Sequence, residues 1–329
     1  MSATYDVVGI GNALVDVLSH EDDAFLAGHG LAKGAMVLIE EERVDELYAA
    51  MSHRTEMSGG SAANTLVGVA SFGGRAAYIG RVRNDYLGTV FGHDLTSLNV
   101  AFESPRADGG PGTGRCLIVV TPDAQRTMNT CLGASSLLGP DHLDLDIVRS
   151  SQVTFLEGYL FDRDDAKAAY RLAAATAHEA GRRVALTLSD GFCVERHRDD
   201  FVALVDGGVD ILFANVDEIT RLYQVDDVDD AIAKVRGRCE IACVTMGAKG
   251  SVVIAGDATH DIAPHPVDRV VDTTAAGDLY AAGFLYGYTQ GMSLDRSGAL
   301  GSIAAAAVLG HTGARPGLSL AQLLHLLDS

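Results

Sequence analysis

The chain of 329 residues carries 44 acidic and 25 basic side chains, which gives a formal net charge of −19 at neutral pH. A field of that sign repels phosphodiester backbones and anionic bilayers, so neither a nucleic acid nor a membrane is expected as a partner. The hydrophobic fraction of 47% and the charged fraction of 21% are typical of a folded protein, and the length is sufficient for one large α/β domain with an appended piece.

The cysteines and the N-terminus indicate the compartment. The five cysteines are odd in number and include no Cys-x-x-Cys pair, so neither a disulfide framework nor a zinc site is expected. The sequence enters a predicted strand directly, without a basic segment followed by an apolar stretch, and no later apolar run reaches membrane-spanning length. We therefore expect a soluble, cytoplasmic protein.

The first predicted strand, Tyr5–Ile10, leads into the segment Gly-Ile-Gly-Asn-Ala-Leu-Val-Asp at positions 9–16. A dinucleotide-binding fingerprint requires a third glycine where Leu14 stands, so this match is weak. The strand end instead delivers Asn12 and Asp16 to the carboxyl edge of a parallel sheet, where α/β proteins bind ligands. From the sequence alone, Asp16 is equally consistent with a turn residue.

Short apolar strands at 35–39, 115–120 and 126–131 do not follow the strand and helix alternation of the later chain. Together with residues near 13–22, they predict a small β lid formed by about 13–40 and 101–132. The turn-rich stretch 105–114 is expected to connect parts of that lid. A lid of this kind would exclude water from a reactive group.

Between the lid segments, Gly59 and Gly60 precede a helix whose apolar positions begin at Ala63, with Asn64 in its first turns. Alone, two glycines before a helix usually indicate only a turn. We predict a loop without strand structure that feeds the helix N-terminus.

From about residue 152 the alternation is regular, with strands near 152–157, 183–188, 209–213 and 240–245 and helices at 164–180 and 227–236. This rhythm predicts a parallel sheet covered by helices. Tyr159 and Phe192 follow two of these strands and are expected at the ligand edge, where either residue would stack on a base or pack in the core.

Near the C-terminus, the segment Val-Asp-Thr-Thr-Ala-Ala-Gly-Asp at 271–278 predicts a strand end, a tight turn and a helix start. Small residues allow a substrate to approach the backbone, and the first amides of a helix attract anions. Asp278 falls in the first turn, where an isolated acid often only compensates the helix dipole.

The pair of segments at 59–64 and 272–278 resembles the two-part signature of the ribokinase-like (PfkB-type) sugar and nucleoside kinases. The resemblance covers nearly the whole chain and implies a three-layer, doubly wound α/β fold with a mostly parallel sheet and a β-sheet lid, formed by residues 1–329 as one domain. It also implies ATP and Mg²⁺ as co-substrate and cofactor. Asp278 becomes the base for the acceptor hydroxyl, and the backbone of Ala275, Ala276 and Gly277 becomes the anion hole. If Ala275 requires a positive φ, it costs about 1 kcal/mol relative to glycine.

Other segments are similar to adenosine kinases in particular. By that resemblance Asn12 contacts the base and Asp16 binds both ribose hydroxyls, while Gly59, Gly60 and Asn64 hold sugar hydroxyls. The segment at 126–133 resembles the part that lines the base pocket through Met128 and supplies an arginine near the phosphates; Arg126 is the candidate, with a surface charge at the lid edge as the alternative.

The resemblance also assigns the nucleotide side. Asn215 and Glu218 match the family's Asn-x-x-Glu, whose Glu organises the magnesium through water, although Glu218 would equally compensate a helix dipole. Thr245, Gly247 and Gly250 match the loop under the nucleotide phosphates, which lacks the spacing of a P-loop. His311, in the segment 311–314, is expected near the adenine of ATP.

These observations predict a kinase for a small nucleoside or sugar, with the 5′-hydroxyl of adenosine as the favoured acceptor, giving AMP and ADP in purine salvage. A ribokinase- or fructokinase-type enzyme is the alternative within the family. A nucleoside-binding protein without catalytic activity is the alternative from another class. Gly9 and Gly11 also allow an oxidoreductase, and a titration with NAD that shows no binding would exclude it.

Overall fold

The computed structural model describes residues 3–123, 125–311 and 313–328. Within these ranges the chain forms fourteen strands: β1 (Tyr5–Ile10), β2 (Leu14–His20), β3 (Met36–Leu38), β4 (Thr55–Gly59), β5 (Ala76–Ile79), β6 (Val100–Ala101), β7 (Gly114–Val120), β8 (Arg126–Cys131), β9 (Ser151–Glu157), β10 (Arg183–Thr187), β11 (Ile211–Asn215), β12 (Ile241–Thr245), β13 (Ser251–Ala255) and β14 (Ala258–Ile262).

The same described residues contain twelve α-helices: α1 (Asp23–Gly28), α2 (Glu41–Ala50), α3 (Ser61–Ser71), α4 (Tyr86–Ser97), α5 (Leu145–Arg149), α6 (Asp164–Glu179), α7 (Gly191–Arg196), α8 (Arg198–Gly208), α9 (Val216–Tyr223), α10 (Val228–Val235), α11 (Ala276–Thr289) and α12 (Leu294–Leu309). No helix in this part of the chain combines the length and apolar character needed to span a bilayer.

A nine-stranded sheet forms the centre of the described residues, in the order β14-β13-β12-β11-β10-β9-β1-β5-β6. Its pairs are parallel from β6 to β12, and the edge strands β13 and β14 are antiparallel. Strand β1 lies between β5 and β9: the chain first adds β5 and β6 on one side of β1 and later adds β9 and β10 on the other side. Such a reversal opens a crevice at the carboxyl ends of the strands.

Both faces of this sheet are buried, as its alternating side chains require. In β1, Val7 packs into one core with Leu66 of α3 and Phe284 of α11. The next residue, Val8, packs into a second core with Tyr170 of α6 and Leu222 of α9. Successive strand residues point to opposite faces, so the apolar run of β1 serves both layers. The predicted three-layer α/β architecture is confirmed.

A second sheet has five strands among the described residues, in the order β3-β8-β7-β2-β4. Four of these strands lie in the two segments predicted for the lid. The fifth, Thr55–Gly59, pairs antiparallel with β2, so the prediction of a loop without strand structure before α3 is wrong. Its sequence, Thr-Glu-Met-Ser-Gly, lacks the apolar alternation that indicates a strand. Ala101, at the boundary of the predicted lid, instead belongs to β6 of the large sheet.

The prediction of a strand end at Val271, before the turn at 272–277, is wrong. Residues 269–271 form a loop that pairs with neither sheet. The amide of Val271 donates to the carbonyl oxygen of Leu309 at 2.8 Å, which ties the loop to the end of α12 instead. Helix α11 begins at Ala276 and has Asp278 in its first turn, as predicted.

Candidate active site

A cavity of about 820 Å³ lies at the carboxyl edge of the large sheet and is closed on one side by the second sheet. Residues from separate parts of the chain meet in it, as expected for an α/β crevice beside β1. Its lining includes the following residues predicted for the site: Asn12, Asp16, Gly60, Asn64, Met128, Tyr159, Phe192, Asn215, Glu218, Thr245, Ala275, Gly277 and Asp278.

The other predicted residues, all of them described, lie outside this lining: Gly59, Ala276, Arg126, Gly247, Gly250 and His311. Gly59 and Ala276 directly adjoin lining residues in the chain. Gly247 and Gly250 form the turn between β12 and β13, and His311 follows α12. Thr312, in the segment predicted near the adenine, lies outside the described residues.

Asp278 is held by two side chains from α3. Ser61 Oγ donates to its Oδ1 at 2.6 Å, and Asn64 Nδ2 donates to its Oδ2 at 3.0 Å. Helices α3 and α11 meet at Gly68 and Ala282, one turn after Asn64 and Asp278, and this packing brings the two residues together. Burial raises the pKa of Asp278, and the two hydrogen bonds oppose that rise. The carboxylate is thus oriented and more basic than an exposed one.

Asp16 reaches the same cavity from β2 of the lid. It lies beside the turn formed by Gly59 and Gly60, called here the early glycine turn. A Cβ added to Gly59 would lie 2.4 Å from the Asp16 carboxyl group, and Gly60 has a φ of +93°. Side chains larger than hydrogen are therefore excluded from this turn. Burial raises the pKa of Asp16 to about 6, Arg315 and Arg126 oppose the rise, and the charge of Asp278 adds to it.

Sequence reasoning missed Glu157, the last residue of β9. This side chain is only 1% exposed and lines the cavity. Its carboxylate accepts hydrogen bonds from the amide of Ala62 at 2.8 Å, the amide of Asn12 at 3.1 Å and Asn12 Nδ2 at 2.9 Å. Burial raises the pKa of Glu157 to about 7. Its position at a strand end was the available signal, the same signal that identified Tyr159.

Asn12 is fixed on both sides of its amide. While Nδ2 donates to Glu157, the Asn12 Oδ1 accepts a hydrogen bond from Ser135 Oγ at 2.9 Å. Asn12 thereby ties the ends of β1 and β9 to the segment after the lid strand β8. It lines the cavity with little freedom to reorient.

Arg126, the predicted phosphate contact, forms a buried ion pair with Asp272 at the start of the late motif. Asp272 Oδ1 also accepts from the amide of Thr274 at 2.9 Å, and its Oδ2 accepts from the amide of Gly313 at 3.0 Å. Arg126 lies on β8, so the pair joins the lid to the turn before α11. The surface-charge alternative for Arg126 is wrong, because its side chain is only 10% exposed.

Glu218 and Asn215 form a reciprocal cap at the start of α9. Asn215 Oδ1 accepts from the Glu218 amide at 2.9 Å, and the Glu218 carboxylate accepts from the Asn215 amide at 3.0 Å and from its Nδ2 at 2.6 Å. This capping box gives Glu218 a structural role at the helix start. Burial, together with Asp190, Asp217 and Asp278, raises the pKa of Glu218 to about 7.

Several carboxylates therefore face one cavity. Asp16, Glu157, Glu218 and Asp278 all have raised pKa values, and Asp190 lines the same space. Within the described ranges, no group of three His, Cys, Asp or Glu side chains is arranged to enclose a metal ion. The arrangement fits a hydrated Mg²⁺ brought in with phosphate oxygens, because that ion retains most of its water and prefers oxygen ligands.

The two predicted aromatic residues occupy the cavity rim and not the core. Phe192 is 67% exposed, and the guanidinium of Arg221 lies over its ring at 5.6 Å from the centroid. Tyr159 is half-buried, and its hydroxyl donates to the carbonyl oxygen of Ser189 at 3.1 Å. The core alternative for both residues is wrong.

Apolar side chains of the lid cover the space above Asp16. They are Met36, Leu38, Cys116, Ile118, Met128 and Leu132. Asn64 of α3 and Asp278 of α11 add polar side chains to the same lining. The cavity therefore offers an apolar slot on one side of a carboxylate-lined floor.

The turn before α11 contains a strained alanine. Ala275 has a φ of +62°, a left-handed conformation that costs an L-residue about 1 kcal/mol relative to glycine. The variant Ala275→Gly is therefore expected to raise the free energy of unfolding by about 1 kcal/mol, measured by urea denaturation. A lower or unchanged free energy would contradict the strain. The variant Ala281→Gly, inside α11, is the control and is expected to destabilise.

The sequence and the fold both resemble those of known kinases. A family model described as pfkB family carbohydrate kinase matches residues 30–320. Adenosine kinase from Sinorhizobium meliloti has a crystal structure that superposes with a TM-score of 0.91 at 49% identity, covering 98% of this chain and 99% of that one. A probable sugar kinase from Rhizobium etli CFN 42 superposes with a TM-score of 0.91 at 45% identity, covering 99% of both chains. Adenosine kinase from Saccharomyces cerevisiae is 26% identical over 323 residues, covering 89% of this chain and 92% of the yeast protein.

Proposed function

This chain belongs to the pfkB family of carbohydrate kinases, and from that premise we propose that it transfers the terminal phosphoryl group of ATP to the 5′-hydroxyl of adenosine, giving AMP and ADP. One observation carries the proposal. The cavity joins the carboxylates of Asp16 and Asp278 beneath an apolar slot of the lid. A nucleoside has the matching shape, with ribose hydroxyls at one end and, at the other, a flat base whose two faces pack against apolar side chains.

Asp278 is the base in this proposal. An alcohol is too weak an acid for a carboxylate to deprotonate fully, but in a loose transition state the proton leaves late. Positioning and charge stabilisation then supply most of the rate. Ser61 and Asn64 hold the carboxylate in one orientation, which is the requirement for positioning. The backbone of Ala275, Ala276 and Gly277, at the start of α11, is the proposed anion hole.

Asp16 is the proposed partner of the two ribose hydroxyls, Gly59, Gly60 and Asn64 complete the sugar side, and Asn12 is the proposed contact of the base. The apolar slot, including Met128, would receive the base, with Tyr159 or Phe192 at its rim. A free sugar would leave the slot uncovered and would bring hydroxyls against apolar side chains without hydrogen-bond partners, which is costly. This contrast favours adenosine over ribose or fructose.

The donor is proposed to lie along the ends of β11 and β12, beside Asn215 and Thr245. Gly247, Gly250 and His311 extend this side outside the cavity. Glu218 would hold Mg²⁺ through water, and the ion would neutralise charge on the phosphates. Arg126 is proposed to add positive charge from the lid, next to the turn that it already joins through Asp272.

A sugar kinase is the second candidate, because Asp16, Asn64 and Asp278 form a polar floor that also suits a free sugar. ATP consumption with adenosine, inosine, guanosine, ribose and fructose separates the candidates. Turnover with adenosine alone supports the proposal, and turnover with sugars alone overturns it in favour of the second candidate. Binding of adenosine without turnover would identify a nucleoside-binding protein.

The five free cysteines fit the reducing cytoplasm as its location.

The proposal predicts an acid limb in the pH profile of kcat/KM. Both functional carboxylates act in the ionised form, and burial raises the pKa of Asp16 to about 6 and the pKa of Asp278 above its ordinary value. Activity is therefore expected to fall as the pH is lowered through about 6, well above the range in which an exposed aspartate is protonated. The measurement is kcat/KM for adenosine across the pH range. A profile that stays flat down to about pH 4 would contradict these assignments.

A further inference from the structure

Arg315 makes contacts that no sequence motif indicated. It lies beyond α12, yet its Nη2 donates to the carbonyl oxygen of Ser58 and, at 2.7 Å, to Ser58 Oγ. Ser58 is the residue before the early glycine turn. Its amide and its Oγ donate in turn to Asp94 Oδ2 of α4, at 2.8 and 2.5 Å. The C-terminal segment is thus joined to the lid strand β4 directly beside the active-site turn.

The remaining donors of Arg315 are unpaired. Its Nε and Nη1 are buried and have no hydrogen-bond partner among the described residues. A buried unpaired donor is costly, and a guanidinium cannot shed its charge to avoid that cost. The cation is offset by three carboxylates that attract it, those of Asp94, Asp16 and Asp278. A permanent positive charge is therefore buried beside the two proposed functional carboxylates.

We propose that Arg315 is a positioning residue for phosphoryl transfer, which fixes the early glycine turn and supplies the positive charge that allows Asp16 and Asp278 to be ionised together. This inference rests on the proposed function. Arg315 does not line the cavity, so it acts through the residues that do.

The mechanical part follows a short path. Arg315 holds Ser58, and the chain continues through Gly59 and Gly60 into α3, where Ser61 and Asn64 bind the Asp278 carboxylate. Gly59 also packs against the carboxyl group of Asp16. Movement of this turn would therefore displace both carboxylates at once.

The electrostatic part depends on the charges that face the pair. The charge of Asp278 raises the pKa values of Asp16, Glu157 and Glu218, from β2, β9 and α9, so these carboxylates repel one another across the cavity. Ser61 and Asn64 of α3 contribute hydrogen bonds without net charge. The positive charge of Arg315 also lowers the pKa of Asp278. The pKa of Asp16 is lowered more by the charge of Arg315 than by that of Arg126.

The test compares Arg315→Met, Arg315→Lys and the control Arg296→Met in the full-length protein. Arg296 pairs with Asp328 on the exposed surface, and its loss is expected to leave kinetics unchanged. Arg315→Met is expected to lower kcat/KM for adenosine about 10- to 100-fold and to move the acid limb to higher pH. Arg315→Lys keeps the positive charge but loses the paired hydrogen bonds to the carbonyl oxygen and Oγ of Ser58. This variant is therefore expected to keep the acid limb at the wild-type pH and to have a lower kcat.

Several outcomes overturn the inference. If Arg315→Met leaves both kcat/KM and the acid limb of the pH profile unchanged, Arg315 has neither the mechanical nor the electrostatic role. If the acid limb of Arg315→Lys moves as far as that of Arg315→Met, the electrostatic role is excluded. If Arg315→Met does not fold, Arg315→Lys carries the test, and wild-type kinetics in that variant overturn the mechanical part. Failure of the proposed function is recognised separately, because the unmodified protein would then phosphorylate no nucleoside.

Discussion

Replacing Asp278 with asparagine is expected to lower kcat about 10²- to 10⁴-fold while the protein still folds. The variant keeps the shape of the side chain and removes the group that accepts the hydroxyl proton. Because burial raises the pKa of Asp278, a neutral amide at this position is tolerated by its surroundings. The amide oxygen can still accept from Asn64 Nδ2, and the new NH₂ group can donate to the Ser61 hydroxyl, which accepts as well as donates. The measurement is single-turnover phosphoryl transfer with saturating ATP and adenosine, together with thermal unfolding.

Asp295→Asn is the matched control. Asp295 also occupies the first turn of a helix, α12, but it is exposed and bonded to His260 at 2.9 Å. If Asp278 served only to compensate its helix dipole, the two variants would behave alike, with losses of stability and no loss of turnover. Near-normal turnover by Asp278→Asn would remove the assigned base.

Replacing Asp16 with asparagine is the second large effect, with an expected fall in kcat/KM for adenosine of about 10²- to 10⁴-fold. A hydrogen bond to a charged group contributes about 1.5 to 3 kcal/mol, and Asp16 is proposed to accept two of them from the ribose. The side chain lies on β2, against the early glycine turn, so an isosteric amide fits the same space. The loss is therefore expected in acceptor binding and positioning and not in stability.

The assignment of Asp16 to the ribose hydroxyls is tested with 2′,3′-dideoxyadenosine. With the unmodified enzyme, removing both hydroxyls is expected to cost about as much as Asp16→Asn does. In the variant, the same change in the acceptor is expected to cost little more, because the interaction is already lost. Independent, additive losses would contradict the contact. Asp45→Asn, at an exposed position in α2, is the control within the lid region.

Local sequence patterns predicted the elements that carry the site, because those elements are specified by neighbouring residues. The turn at 272–277 combines small residues with an acid in the first turn of a helix, and α11 does begin there. Likewise, the end of β1 brings Asn12 to the cavity because carboxyl ends of parallel strands share one edge. In both cases a few adjacent residues determine where the side chains lie.

Long-range pairings could not be predicted in the same way. Arg315 meets Ser58 across 257 positions of the chain, and Arg126 meets Asp272 across 146. Neither arginine stands in a pattern that identifies its partner. The strand Thr55–Gly59 was missed for a related reason, since its polar residues form a strand only because β2 offers an edge. The β-branched residues Val270 and Val271 remain a loop, and the amide of Val271 donates instead to the carbonyl oxygen of Leu309 at the end of α12.

The most direct test of the account is product analysis after incubating the protein with ATP, Mg²⁺ and adenosine, using chromatography that resolves AMP from its 2′- and 3′-isomers. We expect 5′-AMP and ADP to appear in equal amounts, and both to form about 10²- to 10⁴-fold more slowly with Asp278→Asn. ADP without any adenosine monophosphate, or 5′-AMP formed at the same rate by the Asp278→Asn variant, would contradict it.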